Sequence, residues 1–98
     1  MRIEAARLLT YRAAERLTAD PDDDTGVRMA KVEASEMAAD VTLESMRIHG
    51  GYGYTSEFPV ERLYRDAARL VVTPTDNDAE RRLVARGAIE RALTGVPT

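Results

Sequence analysis

The stretch TGVRMAKVEASEMAADVTLESMRI, Thr25 to Ile48, decides the fold. Val27, Ala30, Ala34, Met37, Val41 and Ile48 recur at the steps of one helical face, and Ala38 and Ser45 widen the stripe. Glu44 interrupts it; the spacing predicts a glutamate that snorkels or pairs with an arginine rather than a catalytic carboxylate. The alanines let a neighbouring helix approach closely. His49-Gly50-Gly51 ends the element, because glycine takes the left-handed terminal conformation without a Cβ clash.

Working outward, residues 2–18 form a second helical pattern, with Ile3, Ala6, Leu9, Ala13 and Leu17 on one face. Asp20-Pro21 stops it, since proline disfavours helical geometry in the residue before it. Asp22-Asp23-Asp24-Thr25 lacks the alternating ligands and closing glutamate of a calcium loop, and reads as an acidic lead-in favoured by the helix dipole. Downstream of the long helix, Gly50 to Tyr54 is a Gly-rich loop. Pro59 opens a short helix over 59–70, with Val60, Leu63, Tyr64, Ala67 and Val71 as its buried side. Thr73-Pro74-Thr75-Asp76 breaks the chain. A last helix runs over 76–93, with Thr75 or Asp76 as N-cap, Ala79, Leu83, Ala88 and Ala92 near its apolar face, and Gly95 and Pro97 beyond its end. No strand pattern competes and no repeat occurs. The expected fold is all-α, an up-down helical bundle of three long helices and one short helix in a single domain over residues 1–98.

Composition narrows the chemistry. A chain of 98 residues supports one small domain with a thin core. With no cysteine and one histidine, thiolate and multi-histidine metal sites are excluded. The apolar runs are too short to span a membrane, and MRIEAARLL at the start is charged and amphipathic rather than a signal-peptide core, so a cytoplasmic protein is expected. Fourteen basic residues stand against 17 acidic ones, a net charge of −3. The arginines are dispersed and Lys31 is the only lysine, a poor pattern for general nucleic-acid binding.

The loop and short helix together read IHGGYGYTSEFPVERLYRDA, from Ile48 to Ala67. This stretch resembles the acyl-CoA dehydrogenase family, whose members carry a Gly-Gly-aromatic-Gly loop followed by Pro-Val-Glu-Arg and Arg-Asp-Ala. ARLLTYRAA (Ala6 to Ala14), MAKVEASEMAADV (Met29 to Val41) and RRLVAR (Arg81 to Arg86) look like the helices on either side. The resemblance covers nearly the whole chain but only the last part of a full-length member. It leaves out the N-terminal helical domain, the middle β domain and the first helix of the C-terminal bundle. It implies an FAD enzyme in which a glutamate removes the α-proton of an acyl-CoA thioester while the β-hydride passes to the flavin.

Transferred residue by residue, the resemblance puts FAD contacts on Arg47, Ile48, His49, Gly50, Gly51 and Gly53, and on Asp76 and Asp78. The glycines match a loop that approaches the cofactor, usually that of a neighbouring subunit, where the missing Cβ leaves the backbone amides open. Arg47 stands where the family often has glutamine; it can pair with a phosphate but cannot accept a hydrogen bond. Many members place the catalytic base in a Tyr-Glu-Gly-Thr segment, which falls here on Thr73-Pro74-Thr75-Asp76, so Pro74 replaces the base. Asp76 stands in place of a cofactor-contacting threonine; a carboxylate there is unfavourable near a dinucleotide unless it meets a hydroxyl. Helix capping is the simpler account of Asp76 and Asp78. No catalytic residue and no metal ligand is assigned. His49 is expected to be structural, Tyr52, Tyr54 and Phe58 to pack around the loop or stack on adenine, and Arg65-Asp66 to form an ion pair or cap.

Three readings stay open for the isolated chain: a domain or short subunit that works with a flavin-bearing partner, a non-catalytic oligomerisation module, or a remnant with no retained ligand. Acyl-CoA is expected only in a complete enzyme, and neither nucleic acid nor membrane is an expected partner. A homo-oligomer is expected, because the stripes lack a neighbour and each exposed leucine or methionine forfeits about 1.5–3 kcal/mol. Met37 and Val41 are its expected centre.

Overall fold

The computed structural model describes residues 1–50 and 59–95. They form four helices: α1 (Arg2–Ala19), α2 (Thr25–His49), α3 (Pro59–Leu70) and α4 (Asn77–Thr94). The all-α expectation holds, and every helix boundary lies within a residue of its expected place. Proline and glycine account for much of that agreement. The turn after α1 contains Pro21, Pro59 is the first residue of α3, and Gly50 and Gly95 take positive φ at the ends of α2 and α4.

The helix α2 is the spine, about 37 Å long by its residue count. The other three helices pack on it and not on one another among the described residues. Arg2 pairs with Asp40 at 2.7 Å, and Ala13 lies against Gly26, so α1 runs antiparallel to α2. Asn77 meets Ser35, and Gly87 approaches Thr25, so α4 also runs antiparallel to α2. Val71, just past α3, lies beside Lys31. The short helix therefore descends from the Gly50 end of α2, and α4 continues in the same direction. The third leg of the up-down bundle is thus two helices in series, α3 then α4, broken at residues 71–76. A serial third leg makes a rod: the radius of gyration is 16.4 Å, against about 13 Å for a compact chain of this length.

The core is thin and small-sided. Ala6 and Ala13 of α1, Ala30, Val32 and Met46 of α2, and Val60 and Ala67 of α3 are its buried apolar residues. Several expected core residues are exposed instead: Ile3, Leu17, Val27, Val41, Ile48, Leu63 and Leu83. The physical reason is the spine arrangement. With neighbours on more than one side, α2 buries Gly26, Ala30, Val32, Ser35 and Met46, of which only Ala30 falls on the single stripe that the periodicity picks out. Each outer helix touches only α2, so each encloses only two residues: Ala6 and Ala13 in α1, Val60 and Ala67 in α3, and Asn77 and Glu80 in α4.

Local ion pairs also depart from expectation. Arg65 pairs with Glu61 one turn earlier rather than with Asp66. Glu44 does pair with an arginine, Arg47, at the surface. Asp24 holds the N-cap position of α2 without a side-chain capping bond and instead pairs with Arg28 at 3.1 Å.

Candidate functional site

The residues expected to meet a cofactor fall into two groups that α2 holds apart. Arg47, Ile48, His49 and Gly50 sit at its C-terminal end. Asp76 and Asp78 sit where α4 begins, on either side of Asn77, which meets Lys31 and Ser35. Fifteen residues of helix separate Ser35 from Gly50, about 22 Å along the axis. Gly51 and Gly53, with Tyr52, Tyr54 and Phe58, lie outside the described residues.

At the α2 end, Arg47 is exposed and occupied by Glu44. Ile48 is 84% exposed. The His49 Nδ1–H donates to the Ser45 carbonyl at 2.8 Å. Gly50 has φ 63° and ψ −139°, a backbone that side chains rarely adopt, and its N–H donates to the Arg47 carbonyl. Among the described residues nothing lies within 4 Å of where a Cβ on Gly50 would point.

At the α4 end the capping expectation is corrected. Asp76 occupies the N-cap position but makes no side-chain capping bond. Its carbonyl accepts the Glu80 N–H at 3.1 Å. Asp78 is exposed and faces Arg81 at 3.3 Å. The first-turn side chain that ties α4 to the preceding turn is Glu80, which accepts the Thr75 hydroxyl at 2.6 Å and Arg28 at 2.8 Å. It is 5% exposed, and the Thr75 hydroxyl and Arg28 hold its carboxyl below the usual carboxylate range. Glu80 and Asp24 in turn raise the Arg28 guanidinium, keeping it charged.

Between the helices lies a polar cluster that sequence reasoning did not find. Asn77, 1% exposed, is its centre. Its amide donates to Ser35 Oγ at 2.9 Å and to Glu36 Oε2 at 3.0 Å, and its carbonyl oxygen accepts from Lys31. Its backbone N–H donates to the Val71 carbonyl at 3.0 Å. Lys31 also donates to the Thr75 carbonyl at 2.6 Å, and Glu36 is held by Arg81. Lys31 thus reaches from the spine to backbone on both sides of the Pro74 turn, at Val71 and Thr75. The signals for this cluster were present but weak: the sole lysine of an Arg-rich chain, and Ser35 one helical turn after it.

Chemically, the cluster is a clamp. Its carboxylates, Glu36 and Glu80, are both engaged by arginines, and no group of three or more metal-ligating side chains forms among the described residues. What it positions is the turn at residues 73–76.

The sequence and structure are similar to known proteins over nearly the whole length. The family model of the acyl-CoA dehydrogenase C-terminal domain matches residues 1–89. Cyclohexane-1-carbonyl-CoA dehydrogenase of Geobacter metallireducens is 36% identical over 91 residues, covering 93% of this chain and 24% of that protein. Subunit CarC of the caffeyl-CoA reductase-Etf complex of Acetobacterium woodii is 43% identical over 65 residues, 66% of this chain and 17% of that protein. A chain solved in work on the electron transferring flavoprotein of Acidaminococcus fermentans and flavin-based electron bifurcation superposes with a TM-score of 0.81 at 38% identity. That match covers 89% of this chain and 23% of the solved one. The chain spans about a quarter or less of the length of these relatives.

Proposed function

Because this chain belongs to the acyl-CoA dehydrogenase family, as its C-terminal helical domain, we propose that it serves α,β-dehydrogenation of an acyl-CoA thioester within a larger FAD-bearing assembly and is inactive alone. One observation carries this reading. The turn clamped by Lys31, Asn77 and Glu80 has Pro74 where many members of the family have their glutamate. The nearby carboxylates of Glu36 and Glu80 are committed to arginines, and Glu80, its carboxyl held low by Thr75 and Arg28, is a weak proton acceptor. The α-proton is therefore taken by a group that the rest of the assembly brings.

The FAD contact proposed for this chain is the open backbone at Gly50, with the adjoining Gly51 and Gly53 and the cation of Arg47. Gly50 fits such a contact, since no atom of the described residues crowds it; Arg47 must first exchange Glu44 for the ligand. Asp76 and Asp78 fit a phosphate poorly, because their charges oppose it, and suit only a hydroxyl. The flavin, when bound, accepts the β-hydride. The separation of about 22 Å between the two ends of this site supports their serving different parts of an assembly. CarC is named as one subunit of a complex, which favours partner subunits here too.

A second reading, a non-catalytic oligomerisation module, is favoured by the exposed large apolar side chains, among them Leu8, Tyr11, Ile48, Ile89 and Leu93. Both readings include a homo-oligomer centred on Met37 and Val41. The test of function is direct. The purified chain, given FAD, an acyl-CoA series and a dye acceptor, gives no reduction. Turnover by the pure chain that Asp76→Asn abolishes would overturn the proposal and make Asp76 the base.

A further inference from the structure

Where α2 begins, the seam between α2 and α4 opens into a cavity of about 520 Å³. It is remote from Gly50, which lies about 37 Å away along α2. Two arginines on its wall lack a counter-ion. Arg86 and Arg91 are in no ion pair among the described residues, whereas Arg28, on the same wall, is shared by Asp24 and Glu80. Arg91 is half-buried, and its Nε is enclosed with no hydrogen-bond acceptor. Buried donors are nearly always satisfied and buried charges nearly always paired, so this guanidinium calls for an anion. Glu90 is the one carboxylate on the wall outside an ion pair, which leaves the cavity net positive.

Donors from the spine face the same place. The helix α2 opens at Thr25 with no side-chain cap, so its first amides have no intrahelical acceptor and its dipole favours negative charge. A Cβ on Gly87 would lie 3.8 Å from Thr25 Oγ1 and 3.6 Å from Arg91 Nη1. The hydroxyl of one helix and the guanidinium of the other thus converge over a single glycine. Glycine inside a helix is destabilising relative to alanine, and the packing does not require it here, since both distances are ordinary contacts. What the missing side chain does provide is an open approach to the backbone.

We infer that this cavity binds a phosphate dianion, free or as the phosphomonoester of a small molecule, held by Arg86, Arg91, the Thr25 hydroxyl and the first amides of α2. A phosphate suits it better than a carboxylate. Two guanidinium groups and a helix N-terminus offer more charge and more donors than one carboxylate can use, and the phosphate oxygens accept from several directions at once.

The test is an NMR titration of the isotope-labelled full chain, at constant ionic strength, with sodium phosphate, adenosine monophosphate, adenosine and sodium acetate. Phosphate and adenosine monophosphate are expected to give saturable shifts at the Thr25, Gly26 and Val27 amides and at the Arg91 Nε–H. Adenosine should give none, and acetate should bind about tenfold more weakly or worse. Tighter binding of adenosine monophosphate than of phosphate would identify a nucleotide as the source of the group, and equal binding the phosphate alone. Arg86→Gln, at an exposed position, should weaken phosphate by about tenfold with an unchanged circular dichroism spectrum. Gly87→Ala should hold or raise the urea midpoint while weakening phosphate. The inference is overturned if phosphate gives no saturable shifts at these groups, if acetate binds as tightly, or if both variants bind phosphate like the wild type. No arm involves turnover or FAD, so the result stands or falls separately from the dehydrogenase reading.

Discussion

Asn77→Ala is the sharpest probe of the clamp. The substitution removes three side-chain hydrogen bonds from a residue that is 1% exposed. Two of them reach charged groups, the Lys31 ammonium and the Glu36 carboxylate, and such bonds are worth about 1.5–3 kcal/mol each, against about 1 kcal/mol for the neutral one to Ser35. Each partner keeps another contact: Lys31 the Thr75 carbonyl, Glu36 the Arg81 guanidinium, and Ser35 the Lys31 carbonyl. No partner is orphaned outright, which places the loss below the low end of their sum, at about 3 kcal/mol. Against a stability of about 5–15 kcal/mol this is a large fraction. It corresponds to a fall in Tm of about 12–24 °C for a domain of this size. Urea unfolding followed by circular dichroism measures it, with an unchanged m-value showing that the loss is in stability and not in compactness. Asp78→Ala, which removes only an exposed pair with Arg81, is the control and should cost under about 1 kcal/mol. A loss at Asn77 no larger than at Asp78 would refute the idea that this cluster holds α4 to the spine.

Three further expectations follow from the same geometry. Glu80 has its carboxyl held low by Thr75 and Arg28, so its contribution is fully present above the ordinary carboxylate pKa of about 4.3 and is lost as pH falls through the lowered native value. The urea-midpoint gap between wild type and Glu80→Gln should therefore stay constant from about pH 8 to 5 and narrow below about pH 4; a gap that widens on acidification would contradict the assignment. Gly50→Ala meets no atom of the described residues within 4 Å but forces a side chain onto φ 63°, so backbone strain should cost about 1–3 kcal/mol, and a neutral result in urea unfolding would show that α2 ends differently. Met37→Glu should dissociate the expected homo-oligomer, as read by sedimentation equilibrium; a folded wild-type monomer at micromolar concentration removes that expectation.

Four helices and their limits were legible in the residues alone, because what ends a helix is local. Pro21 and Pro59 act through a fixed φ and a missing N–H, and Gly50 and Gly95 through a positive φ, so no distant contact is needed to place them. The Gly-rich loop and the segment from Pro59 to Ala67 likewise carried the family, whose C-terminal domain model matches residues 1–89. Tertiary structure decided what those helices enclose. Periodicity reports one face of a helix, and α2 has neighbours on several, so Val32, Ser35 and Met46 are buried while Val27 and Val41 are not. Nor does periodicity show that α3 and α4 lie in series along one side of the spine, the arrangement that brings Asn77, 42 residues on in the chain, against Ser35. A buried asparagine or glutamate is stable only when partners from other elements satisfy it, and those partners exist only once the chain has folded around α2.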